Sequence, residues 1–270
     1  MTRPLIMGIL NVTTDSFSDG GRWVDVDAAV ARATKMVQQG ASIIDIGGES
    51  TRPGAARVPP EVEQARVIPV VRQLSERGIR VSVDTMRSTT AKAAAAAGAE
   101  YINDVSGGLA DARMFGVVAD TGVKYIAMHW REHSDTMQNN PHYDDVVADV
   151  LRELDARVSA AAASGIELGK ISIDPGLGFS KTAEHNWRLV AAMAQLNELG
   201  LPVLVGASRK SFLGEFAVAG APPKKRDAAT ATISGLAAQA GMWAVRVHHV
   251  PSTRQVFDVL DRVSGGTEQS

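Results

Sequence analysis

Short apolar runs alternate along the chain with longer amphipathic or alanine-rich stretches. The short runs are Leu5–Leu10, Ser42–Ile46, Arg80–Asp84, Tyr101–Asp104, Lys124–Met128, Ile171–Asp174, Val203–Gly206 and Ala244–His248. Between them lie Val26–Gln39, Pro60–Arg77, Thr89–Ala97, Met114–Thr121, Tyr143–Ser164, Thr182–Leu199 and Ala228–Gln239, and Ser252–Val263 closes the series. Strand and helix in strict alternation predict parallel strands joined by crossover helices. Strands that are apolar almost without interruption predict a sheet covered on both faces. A closed (β/α)8 TIM barrel and an open doubly wound sheet both fit this order. The barrel is the better reading: its count of units is matched, and no G-x-G-x-x-G follows the first strand. The loop "GAPPKKRD", Gly220 to Asp227, marks no domain boundary, so residues 1–270 are read as a single barrel domain.

Composition narrows the class. Hydrophobic residues make up 45% and charged residues 21% of the 270 positions, as in an ordinary globular protein. A net charge of −2 leaves no basic field for nucleic acid or an anionic membrane. Any anionic ligand must then be met by local cations. The absence of cysteine removes disulfides, thiolate metal sites and thiol nucleophiles, and suits a cytoplasmic enzyme. The start, "MTRPLIMGILNV", turns polar too soon for a signal or membrane segment and reads as a first strand.

In a (β/α)8 barrel the active site gathers at the C-terminal ends of the strands. There the chain places Asn11, Asp84, Asn103 with Asp104, His129, Asp174, Lys210, and Arg246 with His248. Singly, each has a plain structural reading: an aspartate after a strand is usually a helix cap, and a lone histidine or lysine is usually satisfied or solvated. Together they have a chemical character. Asp84, Asn103 and Asp174 offer acceptors, while Lys210, Arg246 and His248 offer donors and positive charge. Such a set suits a flat heterocycle bearing N–H groups, joined to a polyanion. No H-x-x-x-H pattern, cluster of carboxylates on one element or Ser–His–Asp arrangement is assignable. The segment "DIGGESTRPG", Asp45 to Gly54, carries more functional groups than a plain turn requires.

Seven segments, "GILNVTTDSFSDGG", "DIGGESTRPGA", "VSVDTMR", "YINDVSGG", "DPGLGFSK", "VGASRKSFLG" and "VRVHHV", run in the order found in the dihydropteroate synthase family, and the chain resembles it from Met7 to about Val250. "GGESTRPG" and "GASRKSF" are the most specific of these. The resemblance implies a (β/α)8 barrel enzyme, a transferase of folate biosynthesis. It implies that a (7,8-dihydropterin-6-yl)methyl diphosphate is joined to 4-aminobenzoate with release of pyrophosphate. By position, it implies that Asp174 pairs with the pterin's 2-amino and N3 hydrogens, and that Asn103 and Asp84 face the other ring edge. Lys210 would contact the ring carbonyl and N5 side, and Arg246 would stack on the ring and, with His248, face the diphosphate. Lys210, Arg246 and Asp84 are the implied catalytic groups. Thr51 lies near the pterin substrate, and Asn11 belongs to an Mg2+ site. Phe179 and Ser211 lie near the aminobenzoate, with Arg52 and Pro53 in a loop that closes over it. A homodimer is implied through helices near the chain's end, where "ATATISGLAAQ" offers small residues.

On this reading Gly47 and Gly48 allow a tight backbone turn at the barrel mouth, with Gly54 as part of a hinge. "TTDSFSDGG" is expected to form a second lid pivoting on Gly20 and Gly21. Two positions depart from the family pattern: Thr14 stands where proline is common, and His249 where aspartate is common. His249 is expected to point away from the pocket. Two rival readings remain: a pterin-binding methyltransferase working with a cobalamin protein, and a non-catalytic pterin-binding relative. The first has no need of "STRPG" and "SRKSF"; the second would be expected to lose a lid or diphosphate residue, and here Thr51, Arg52, Lys210, Arg246 and His248 all stand.

Overall fold

A computed structural model describes residues 2–13, 25–49, 58–131 and 142–266 of the chain. Eight strands form one parallel sheet: β1 (Leu5–Asn11), β2 (Ile43–Gly47), β3 (Val81–Asp84), β4 (Tyr101–Asp104), β5 (Lys124–Met128), β6 (Ile171–Asp174), β7 (Leu204–Val205) and β8 (Ala244–Val247). The order is 6-5-4-3-2-1-8-7, and a parallel bridge from Ile173 to Val203 joins the two ends. The sheet is thus a closed barrel, which settles the choice against an open sheet. Around it lie α1 (Val26–Gln38), α2 (Pro60–Glu76), α3 (Ser88–Ala96), α4 (Met114–Thr121), α5 (Val146–Ala163), α6 (Ala183–Ala191), α7 (Asp227–Gln239) and α8 (Val250–Gly266). No helix among the described residues is long and apolar enough to cross a membrane.

The two-residue period of a strand sorts the side chains into two cores. Met7, Ile43, Tyr101, Ile126, Leu204 and Ala244 point inward and fill the barrel. Their outward neighbours, such as Ile6, Ile44, Val83, Ile102, Ala127 and Val245, pack against the helices. Inward positions nearer the C-terminal ends switch to polar types: Asp45, Ser82, Asp84, Asn103 and Asp174 are all buried. The site therefore begins inside the barrel, where the apolar filling stops.

Most elements match their sequence-based boundaries to within a residue or two. The stretch Thr182–Leu199 does not form one helix. α6 ends at Ala191 and a 3₁₀ segment, Met193–Leu199, follows. Its buried side chains, Met193 and Leu196, are three residues apart, the spacing that a 3₁₀ turn stacks on one face. β7 is also shorter than expected and stops before Gly206, where a Cβ would lie 3.2 Å from Asp174 Oδ2. The missing side chain leaves room beside that carboxylate.

Candidate active site

At the C-terminal mouth, one guanidinium bridges two carboxylates. Arg246 on β8 donates from Nε to Asp45 Oδ2 (2.6 Å) and from Nη2 to Asp84 Oδ2 (2.8 Å). Asn103 on β4 also donates its amide to Asp45 Oδ2, at 3.1 Å. A carboxylate cannot donate, so the Asn103 amide nitrogen must face Asp45 and its oxygen must face the other way. Asp45 thereby fixes which group Asn103 presents. The carboxylate itself is fully buried, and its second oxygen, Oδ1, has no protein partner. Such an arrangement holds the guanidinium by its edge and keeps its plane fixed.

Asp174, at the end of β6, is buried and accepts the Gly176 N–H through Oδ1 at 2.7 Å. Burial pushes its pKa up, against the pull of that N–H and of Lys210, Arg246 and Lys181. Burial likewise pushes Asp84 up to about 7 despite the Arg246 charge, and the Asp45 carboxylate adds to the rise. Lys210 is pulled down to about 7, first by burial and then by Arg246, with Asp174 and Asp84 opposing. Its ammonium lies 3.5 Å from the centre of the Phe179 ring. Residues from β2, β3, β4, β6 and β8 and from the loop after β7 thus meet in one basin of acceptors and cations. Asp84, Asn103, Asp174, Lys210 and Arg246 are brought together as the sequence predicts, and Phe179 lies against Lys210.

The other predicted residues sit around this basin. Asn11, half-buried at the end of β1, pairs in register with Gly47 of β2. His248 shares two hydrogen bonds with Ser208: Nδ1 to Oγ at 2.9 Å, and the backbone N–H donating to Oγ at 3.1 Å. Ser211 is exposed and opens a 3₁₀ segment, Ser211–Phe216, directly after Lys210. His249 is exposed and bonds to Ser252 Oγ at 2.7 Å, away from the basin as expected. Thr51, Arg52, Pro53 and Gly54, and also Thr14, Gly20 and Gly21, lie outside the described residues. Among the described residues no group of three or more acidic or histidine side chains surrounds a common point. A cation near Asn11 would therefore draw most of its oxygens from a bound substrate and water, which is how Mg2+ is commonly held.

One expectation needs correction. Gly47 and Gly48 do not make a tight turn that requires glycine conformations, since neither has a positive φ. Gly47 continues β2. Gly48 is needed for packing: a Cβ there would lie 2.7 Å from Val67 Cγ2 and 3.2 Å from Glu63, both on α2. Beyond it, Arg87 donates to Glu49 and Glu63 at 2.7 Å each and to the Val58 carbonyl at 2.6 Å. The carboxylate in "GGESTRPG" is thus an anchor beside α2.

Two residues of the site escape a reading of strand ends alone. Asp45 lies inside β2, at the inward parity of Ile43 and Gly47; a carboxylate in an otherwise apolar strand was the available signal. Lys181 lies seven positions past the end of β6 and is also buried. Burial pulls it down to about 7, and the Asp174 charge opposes that.

Comparisons with known proteins agree with this architecture and geometry. The sequence pattern of the family described as pterin binding enzyme matches residues 7–248. Dihydropteroate synthase of Mycobacterium leprae is 51% identical over 94% of this chain and 92% of its own length. A Xanthomonas albilineans dihydropteroate synthase solved with 4-aminobenzoic acid superposes with a TM-score of 0.89 at 45% identity, covering 97% of this chain and 93% of that one. A structure of dihydropteroate synthase from the same organism in complex with 7,8-dihydropteroate gives 0.86 at 42% identity, covering 97% and 94%. With the barrel, the basin at its mouth and near-complete alignment in agreement, this chain belongs to the pterin-binding enzymes and, among them, to the dihydropteroate synthase family.

Proposed function

We propose that the chain joins (7,8-dihydropterin-6-yl)methyl diphosphate to 4-aminobenzoate, giving 7,8-dihydropteroate and pyrophosphate. The observation that carries the reading is the buried basin in which Asp84, Asn103 and Asp174 stand beside Lys210 and Arg246. Asp174 keeps Oδ2 beside the open space at Gly206 and accepts N–H groups of the pterin there. Charge-assisted bonds of this kind contribute about 1.5–3 kcal/mol each. Asn103, turned by Asp45, and Asp84 serve the other ring edge. The guanidinium of Arg246, held by its edge, offers its face to the ring and its remaining N–H groups to the diphosphate, with His248 alongside; Thr51 is assigned to the same substrate by the family resemblance alone.

In the reaction the C–O bond to the diphosphate breaks and the electron pair leaves with it. The lone pair of the arylamine forms the new C–N bond, and the amine gives up one proton. An arylamine is neutral at pH 7, so no strong base is needed to start. The chain's task is to stabilise separating charge. The carboxylates of Asp84 and Asp174 favour positive charge on the ring, while Lys210, Arg246 and His248 favour negative charge on the departing group. Asn11 is the residue that would hold Mg2+, and a cation bound there would neutralise further charge on the leaving group. Phe179 and Ser211 serve the aminobenzoate and help to keep water from the reacting carbon; Arg52 and Pro53 are assigned to the same substrate by the family resemblance alone.

We further propose a homodimer in the cytoplasm. Leu236 on α7 and Val259 and Val263 on α8 are exposed apolar side chains on the two helices in question, which supports that assembly. The reaction is tested by incubating the protein with the pterin diphosphate, 4-aminobenzoate and Mg2+. 7,8-Dihydropteroate and pyrophosphate should form one to one. Pyrophosphate released without incorporation of the arylamine, or no turnover at all, would contradict the assignment.

A further inference from the structure

Lys181 is a buried charge that the proposed chemistry leaves unused. It ends the loop that follows β6, and its side chain is 3% exposed. Its Nζ has three acceptors: His129 Nδ1 at 3.0 Å and the carbonyls of Gly176 and Phe179 at 3.1 Å each. An ammonium has three hydrogens, so all are used. The histidine fits this scheme. His129 Nε2 lies 3.0 Å from Glu153 Oε2, and the ionised carboxylate can only accept, so the ring proton sits on Nε2 and Nδ1 keeps its lone pair for Lys181. Burial, and after it the Lys181 charge, hold His129 neutral by lowering its pKa to about 4. Glu153 in turn accepts from Arg131 Nε at 3.1 Å.

The loop that Lys181 ties is the one that touches Lys210. Gly178 has φ +78°, and a Cβ on it would lie 2.7 Å from Lys210 Cδ and 3.1 Å from Cγ. The lysine stem therefore lies directly across the glycine backbone. One residue later, the Phe179 ring sits under the ammonium at 3.5 Å. Within the loop the Phe179 N–H donates to the Gly176 carbonyl at 3.1 Å, and from outside Asp174 takes the Gly176 N–H, Asn186 Oδ1 takes the Gly178 N–H at 2.7 Å, and Tyr143 donates to the Ser180 carbonyl at 2.9 Å. Of these side chains Lys181 alone binds the carbonyls of both Gly176 and Phe179, and it does so from inside the loop.

We infer that Lys181 is a positioning residue: by binding the Gly176 and Phe179 carbonyls it holds the loop as a cradle for Lys210 and seats the Phe179 ring beneath it. The inference rests on the proposed role of Lys210 and Phe179 at the two substrates. Without the tie, the Phe179 carbonyl loses the Lys181 donor, the Gly176 carbonyl keeps the Phe179 N–H alone, and the loop loses the side chain that fixes both ends of its path. Lys210 then keeps its charge but not its place.

The test compares Lys181→Met and Lys181→Arg with the parent protein in steady-state assays using the pterin diphosphate, 4-aminobenzoate and Mg2+. Lys181→Met should lower kcat about tenfold or more and raise KM for 4-aminobenzoate more than KM for the pterin. Lys181→Arg keeps the charge, but its planar fork cannot aim at three converging acceptors, so recovery should be partial. Should the Met variant fail to fold, Gly178→Ala disturbs the same contact from the other side and should reproduce the kinetic pattern. A second readout does not depend on turnover. In protein labelled with 13C at lysine Cε, the Lys210 methylene, identified by its loss in Lys210→Arg, should be shifted upfield by the Phe179 ring and should move back in Lys181→Arg. An inactive parent with that shift intact would sink the proposed reaction alone. Lys181→Arg and Gly178→Ala with parental kcat, both KM values and an unmoved Lys210 signal would overturn the cradle.

Discussion

The two rims of the barrel carry charged clusters built from the same kinds of residue, with opposite outcomes. At the N-terminal rim Arg80 forms a two-pronged pair with Glu100 (2.8 and 2.9 Å) and reaches Tyr101 Oη at 2.6 Å, while Lys124 Nζ lies 2.9 Å from Glu100. Arg80, Glu100 and Lys124 are part-exposed, their charges alternate, and each is held in its ionised form. The Arg80 hydrogen bond, chiefly, pulls Glu100 down to about 2. At the C-terminal rim three buried carboxylates crowd two cations, and burial dominates. Asp84 rises to about 7 and Lys210 falls to about 7. Complementary pairing in water leaves a cluster inert. Burial with mismatched charge leaves groups poised near neutrality, which suits a site that receives a neutral heterocycle carrying an anionic diphosphate.

The rims also oppose or favour folding in different pH windows. Asp84 is raised above its ordinary 3.8, so the stability it contributes when protonated is lost as pH climbs from about 4 through 7. Lys210 is depressed below its ordinary 10.5, so its contribution is present above that value and lost as pH falls toward 7. Glu100 is depressed below 4.5, so its contribution persists at neutral pH and is lost only as pH falls from about 4.5 to 2. The functional rim weakens the fold near neutrality; the other rim supports it there.

Breaking the upper rim should have the largest effect at Lys210. Lys210→Ala should lower kcat by about a hundredfold to a thousandfold at saturating substrates, the usual loss for a positioned charge-stabilising group. Normal turnover would remove Lys210 from the chemistry. Asp45→Asn comes next. It removes the acceptor that turns Asn103 and half of the clamp on Arg246, and kcat/KM for the pterin diphosphate should drop about tenfold to a hundredfold.

That residue also shows where reading the sequence stops. Asp84, Asn103, Asp174 and Arg246 were legible because each interrupts an apolar run at its C-terminal end, and parallel strands bring those ends together. Asp45 interrupts its strand earlier, and only the register of β2 against β1 and β3 shows that it faces the basin. Gly48 reads as a turn glycine because its real constraint, the approach of α2, is tertiary. Lys181 is separated from its strand by a loop whose path is set by contacts with Lys210, Asn186 and Tyr143, none of them local. The Met193–Leu199 segment carries a pattern shared by α and 3₁₀ helices over so short a span.

A smaller effect sharpens the pH contrast. Because Lys210 titrates near 7 in the free enzyme, kcat/KM for the pterin diphosphate should fall about tenfold per pH unit above that point. Lys210→Arg stays charged and should lose this alkaline limb, even at a lower absolute rate. An unchanged limb would assign it to another group. The smallest effect belongs to the lower rim. Glu100→Gln should cost only about 0.2–1 kcal/mol at pH 7 by denaturant titration, should leave both KM values and kcat unaltered, and should converge with the parent as pH falls toward 2. Altered kinetics would mean that the two rims are not independent.

The central claim is that carboxylate and amide groups from separate strands grip the N–H edges of a pterin. Calorimetric titration of the pterin diphosphate into the parent protein and into Asp174→Asn tests it most directly. The variant replaces an acceptor-only carboxylate with an amide that offers a donor to a donor edge, and affinity should fall about tenfold to a hundredfold with the fold intact. Equal affinity in the two proteins would contradict the account.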